Sequence, residues 1–198
     1  MNIAFNPTKT LEADHEIDVI VRQLEESVVR KYTAAPLRLG GQMVFKSTAL
    51  NAFKHFSDPH LMVSWFPTLT KISLNHADSC SAGEIDKTDT GSVRTCHMRG
   101  MGTLKEKILH WDAPNSYAYS ASNWMMPIKN HVSLIFVVQL SHNKSLVVWN
   151  HYYDFTGVLM RHMFPFMMSA LMNKGIKELA ARIGGTGGRI KTYQPEKG

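Results

Sequence analysis

Cysteine is scarce: Cys80 and Cys96 are the only two in 198 residues. Two thiols this far apart make neither a disulfide framework nor a metal or dithiol redox motif. Reduced thiols point to the cytoplasm. The polar opening, with Glu12, Asp14 and Glu16, also lacks the charged-then-apolar order of a secretory leader. No apolar run is long enough to span a bilayer. Charged residues are few, 19% against 44% hydrophobic, which excludes a disordered or fibrous chain and leaves a folded core. The net charge is +6, but the basic residues, among them Arg22, Lys54, Lys105, Lys129, Arg161 and Lys177, form no dense run. A solvated basic surface is therefore expected and no nucleic-acid partner. Weak steering towards acidic ligands or lipid headgroups, and with it peripheral membrane contact, stays open.

Several catalytic signatures are missing as well. Ten histidines show no HExxH or comparable ligand spacing, so no metal is expected. Gly184, Gly185, Gly187 and Gly188 resemble a phosphate loop only in composition, because they follow a helical pattern and no GK[ST] is present. No Gly-x-Ser-x-Gly elbow occurs. We expect no cofactor, and the oligomeric state is not set by anything in the sequence.

What is present is periodicity. From Asp14 to about Val29, Ile17, Ile20, Val21, Leu24 and Val28 recur at three- and four-residue steps, the stripe of an amphipathic helix. Pro36 and Gly40-Gly41 then make residues 32–41 a linker. Gln42 to Ser47 reads as a short strand, followed by two short helices, Leu50 to Phe56 and Asp58 to Trp65, the second capped by Ser57 or Asp58 ahead of Pro59. Six further strands follow, Lys71 to Asn75, Ser92 to Arg99, Thr103 to Trp111, Ser116 to Ser122, His131 to Leu140 and Ser145 to Phe155, separated by turn residues such as Gly91, Gly100, Asp112, Pro114, Pro127 and Asn143. With no helical crossover among them, the pattern predicts an antiparallel meander. From Phe164 to Ile183 a broad apolar stripe predicts a long helix with Pro165 in its first turn and Gly184-Gly185 as its stop. The expectation is α+β: a curved antiparallel sheet of about six or seven strands wrapped around the C-terminal helix, with an N-terminal helical extension. Residues 1–40 form that helix and linker, 41–185 the main domain, and 186–198 a flexible tail.

The long helix is rich in methionine: Met160, Met163, Met167, Met168 and Met172. Flexible thioethers adapt to irregular apolar guests, so the cluster suits a pocket wall. Phe164, Met167, Met168 and Leu171 are expected on that wall with Met160. Across the space, alternation turns Leu104, Glu106 and Ile108 inward, and Glu106 is the odd residue there: a carboxylate on an apolar face needs a partner. With the preceding turn centred on Met101, Cys96 falls opposite Glu106 and Arg94 one step along the same face as Met98. An Arg94–Glu106 pair is then available, as a buried structural pair or as a ligand-orienting one. Val147, Trp149, His151, Tyr153 and Phe155 share a face taken as inward. Tyr117 and Tyr119 project into the same space and offer hydrogen-bonding tips.

These motifs resemble a known family. The run from Phe53 to Leu61 followed by Trp65-Phe66-Pro67 looks like the opening helix pair of the START-like, SRPBCC helix-grip superfamily. Gly91-Ser92-Val93-Arg94, Gly102 to Glu106, and Trp111-Asp112-Ala113-Pro114 with Tyr117 resemble its polyketide cyclase and dehydrase, or lipid transport, branch. The resemblance runs from about Gly41 to Ile183. It implies a hydrophobic cavity between sheet and long helix, and a ligand that is a lipid, an isoprenoid or a polycyclic aromatic polyketide. Three functions stay open: a binding or carrier module; a cyclase or dehydratase with Glu106 or His151 as base and Arg94 or a tyrosine such as Tyr119 as oxyanion donor; and a protein-interaction module using the N-terminal helix.

Overall fold

The computed structural model describes residues 10–75, 88–123, 126–157 and 160–193. Cys80 lies outside them. Helix α1, Thr10–Ser27, is followed by a single 3-10 turn at Val29–Lys31 and strand β1, Leu37–Phe45. Two short helices come next, α2 (Ala49–Ser57) and α3 (Pro59–Trp65). Thr48 caps α2 by accepting from Asn51 N, and Asp58 caps α3 by accepting from His60 N at 2.8 Å ahead of Pro59. Then come β2 (Leu69–Asn75), β3 (Val93–Met98), β4 (Gly102–Asp112), β5 (Ser116–Ser122), β6 (Ile128–Ser141) and β7 (Lys144–Phe155). Helix α4 (Met160–Ile183) and two short strands, β8 (Gly185–Gly188) and β9 (Lys191–Thr192), complete the described chain.

The strands form one curved antiparallel sheet in the order β2-β3-β4-β5-β6-β7-β1-β8, with β9 also on β1. The meander from β2 to β7 follows the turn residues, and β1 closes against β7. The sheet is apolar on both faces. On the inner face Ile135, Val137, Val147 and Trp149 join Phe45, Phe56, Met172, Ile176 and Leu179 in the main core. On the outer face Phe136, Leu146 and Val148 receive Ile17 of α1, while Leu134 and Tyr152 pack against Val28 and Val29. This is why β6 is buried without alternation from His131 to Val137: a strand covered on both sides reads as a continuous apolar run. Tyr152 and Asn150, on the face of β7 opposite Trp149 and His151, are therefore buried as well. Helix α1 lies across the sheet from α4. Its end is fastened where Arg30 pairs with Glu25 and lies over the Tyr152 ring.

The structure departs from the sequence reading in four places. Strand β1 begins at Leu37, inside the expected linker, because Leu39 to Gly41 pair with His151 to Trp149. Helix α4 begins a turn early, so Pro165 sits in its second turn. The β3–β4 hairpin centres on Gly100 rather than Met101, setting Arg94 directly opposite Glu106 and Cys96 opposite Leu104. Finally, the part of the expected flexible tail from Thr186 to Thr192 is anchored. Ile190 is buried in the main core, and the Asn173 side chain bonds both its N–H (2.7 Å) and its carbonyl (3.1 Å). A Cβ on Gly188 would meet Gln42 O at 1.9 Å, so glycine there permits a close backbone approach to β1. These two strands account for the sheet having nine rather than seven.

Candidate functional site

Between the inner face of the sheet and α4 is a cavity of about 90 Å³. A water needs on the order of 10–15 Å³ by the same measure, so the space takes several water-sized spheres or a small flat guest. Its wall is mainly apolar. Helix α4 contributes Phe164, Met168 and Met172, α3 contributes Met62 and the following residue Phe66, and the β3–β4 hairpin contributes Met98 and Met101. With Met126, six methionines line the space. Two aromatic clusters adjoin it: Phe56 packs on Trp65 and Trp149 with centroids 5.1 and 5.6 Å away, and Phe53, Trp111 and Tyr117 meet one another at 5.3–5.7 Å.

Glu106 is the one acidic residue among the described residues of the wall. Its Oε2 lies 2.9 Å from the Arg94 guanidinium, which is fully buried. Arg94 donates from Nη1 to Ser57 O at 3.3 Å and lies over the rings of Tyr117 and Tyr119 at 5.5 Å. Burial works against its charge, but the Glu106 carboxylate and Tyr117 outweigh burial and hold Arg94 more firmly protonated than usual. Such a pair is neutral overall, and the desolvation of each charge is offset chiefly by the other. Burial, with Glu106 adding, pushes the Cys96 thiol up, so it stays protonated beside the carboxylate.

Further along the wall stands a run of polar tips. Tyr119 is buried, and burial together with the Glu106 charge raises its hydroxyl well above the ordinary tyrosine range. Trp149 donates its indole N–H to Ser133 Oγ at 3.0 Å. His151 and Tyr153 follow Trp149 on the same face of β7. His151 Nδ1 lies 3.2 Å from His131 Nε2, and His131 Nδ1 receives the backbone N–H of Ala121 at 2.9 Å. Burial lowers both imidazoles, His131 to about 4 and His151 well below its ordinary value, with His131 adding to the effect on His151. His151 Nε2 and the Tyr153 hydroxyl are buried without a hydrogen-bond partner. Among the described residues no three His, Cys, Asp or Glu side chains converge as a metal site would require.

The structure brings most of the expected site together. Met98, Leu104, Glu106, Tyr119, Trp149, His151, Tyr153, Phe164 and Met168 all line the cavity. Four expected residues do not. Arg94 sits behind Glu106 and holds it rather than facing the space. Tyr117 is core, its hydroxyl donating to Phe56 O. Met167 is 48% exposed, and Leu171 is half-buried off the wall. The phase of α4 is responsible: the wall takes Phe164, Met168 and Met172, one residue per turn, whereas apolar residues occur almost all round the helix and leave its phase unmarked. The Met160 side chain lies outside the described residues. Sequence reasoning missed His131, Met62, Met101 and Met126. Nothing in the order of residues marks His131, which acquires its place only where β5 and β6 part beyond Tyr119 and Ser133. There a more open depression on the other side shares Ala121, Met126, Ile128 and His131 with the cavity.

Solved structures share this architecture. The protein XoxI from Bacillus cereus superposes with a TM-score of 0.58 at 19% identity, over 73% of this chain and 93% of that one. A Thermobifida fusca protein gives 0.59 at 19% identity, over 73% and 91%. Norcoclaurine synthase from Thalictrum flavum, a point mutant in complex with a transition state analogue, gives 0.54 at 10% identity over 76% and 96%. At these identities the likeness establishes the fold alone. No curated protein matches the chain. The family described as polyketide cyclase / dehydrase and lipid transport matches residues 41–184, which run from the middle of β1 to the end of α4 and take in nearly the whole cavity wall; the chain belongs to that family.

Proposed function

We propose that the protein binds a small, mainly apolar molecule, a lipid, isoprenoid or polycyclic aromatic, in the space between sheet and α4, and does so in the cytoplasm. The observation that carries this reading is a methionine-walled cavity holding two buried polar tips, His151 Nε2 and the Tyr153 hydroxyl, with no partner in the protein. A buried polar group left unpaired costs about 1–3 kcal/mol, and a guest that satisfies it recovers that cost. Membership of a family that includes lipid transport supports the same reading. The cavity is narrow, so a flat or slender guest suits it better than a bulky one; methionine rotamers give the wall room to adjust. Native mass spectrometry of gently purified protein is expected to show a co-purifying apolar molecule, or uptake of one from a panel of fatty acids, isoprenoids and polycyclic aromatics. A bare mass throughout would end the proposal.

Catalysis is a second reading, favoured by the position of Glu106. A carboxylate on an apolar wall near hydrogen-bond donors suits proton removal from carbon next to a carbonyl, with charge on the oxygen stabilised by a donor. In this reading Glu106 is the base and Arg94, paired with it at 2.9 Å, holds it in position. Turnover of a poly-carbonyl substrate that persists in Glu106→Gln would eliminate it.

A further inference from the structure

Hydrogen-bond direction along the histidine pair is fixed by a backbone group. The β5–β6 ladder runs from Ser116↔Phe136 to Tyr119↔Ser133 and stops. Beyond it the Ala121 N–H points to His131 Nδ1 at 2.9 Å. A backbone N–H can only donate, so this Nδ1 carries a lone pair, and the proton of the neutral ring is on Nε2. That Nε2 faces His151 Nδ1 at 3.2 Å, so His131 donates and His151 Nδ1 accepts. The proton of a neutral His151 is then on its own Nε2, the buried atom left without a partner on the cavity wall. Three links, each forced by the one before, turn the tip of His151 into a donor. It is therefore not the base that the sequence suggests. Tyr153, two residues on along the same face, adds a hydroxyl that is also unpartnered. Glu106 on the same wall disfavours an anionic guest.

We infer that the guest carries an uncharged carbonyl oxygen on its apolar skeleton and that this oxygen seats on His151 Nε2–H, with the Tyr153 hydroxyl as its second donor. A carbonyl oxygen has two lone pairs and no proton, so it can accept from both the His151 N–H and the Tyr153 O–H. The inference rests on the apolar-ligand reading and narrows it to a chemical class. His131 is a positioning residue: it holds the tautomer and does not itself meet the carbonyl.

Two measurements test this. In the ligand-free protein, long-range ¹H–¹⁵N correlation spectra of the imidazoles at neutral pH are expected to show both rings neutral with the proton on Nε2; a Nδ1–H or doubly protonated His151 would overturn the inference whatever the guest. In the second, 1-indanone and its hydrocarbon counterpart indane are titrated by NMR. The ketone is expected to bind about tenfold tighter, and its bound carbonyl stretch to move to lower frequency. In His151→Phe the ketone's advantage should disappear while indane still binds. Equal binding of the two probes to the wild type would overturn the carbonyl assignment and leave the apolar-ligand reading standing, whereas failure of both to bind would overturn the two together.

Discussion

A carboxylate between Leu104 and Ile108 on an inward face demands a cation, and the neighbouring strand holds Arg94 within reach; the structure pairs Glu106 with Arg94 at 2.9 Å. The sequence thus identifies both partners and misplaces only one role, since Arg94 is fully buried behind its partner rather than on the wall. Arg94→Met leaves Glu106 buried without its counter-charge, and denaturant unfolding should show a loss of about 3–5 kcal/mol. Adding Glu106→Gln to that variant should return much of the loss. The two histidines predict a pH effect. Both are neutral in the folded protein because burial lowers them, His131 to about 4, while the unfolded chain titrates near 6.5. Below that value the unfolded state binds protons the folded state does not. Stability is therefore full above about pH 6.5 and falls as pH drops towards 4, by on the order of 1 kcal/mol per unit for each ring. His55 and His110, lowered by burial too, act in the same direction. Unfolding at pH 7 and pH 5 should show the loss, and His131→Gln with His151→Gln should lessen it.

At the scale of elements, the strands from β2 to β7 are legible in the sequence because glycine, proline, aspartate and asparagine punctuate them and no helical pattern intervenes. Helix α4 is legible as a helix but not in phase, since methionine, phenylalanine and leucine occur almost all round its first half. What settles the phase is packing: Gly175 faces the α3–β2 corner, where a Cβ would meet Pro67 Cδ at 2.8 Å, and this orientation carries Phe164, Met168 and Met172 to the cavity. Strands β8 and β9 are not legible, because Gly185–Gly188 has no side-chain pattern and is specified by the close approach its backbone makes to β1. Its anchor is Ile190. Ile190→Ala should cost about 2–5 kcal/mol, as truncation of a fully buried isoleucine does, and amide exchange should then quicken across β8 and β9. A variant as stable as the wild type would show this segment to be the free tail its composition suggests.

For the whole molecule, the sheet has two occupants with separate tasks. Helix α4 covers the inner face and leaves a cavity; α1 packs on the outer face through Ile17. The amphipathic stripe of α1 is plain in the sequence, yet its destination is not, because a stripe shows that a face is buried without naming what buries it. Ile17→Asp sets a charge against Phe136 and Val148. It should destabilise the protein and expose an apolar face, visible as association in size-exclusion chromatography, while guest binding by the folded fraction is unchanged. The central claim concerns the other face, that an apolar guest can lodge between Trp149 and Met168. Crystals pressurised with xenon test it most directly, since xenon enters empty apolar cavities and needs no chemical match. Xenon density between these two side chains, absent in Met168→Trp, is the predicted result; an interior free of xenon in the wild type would contradict it.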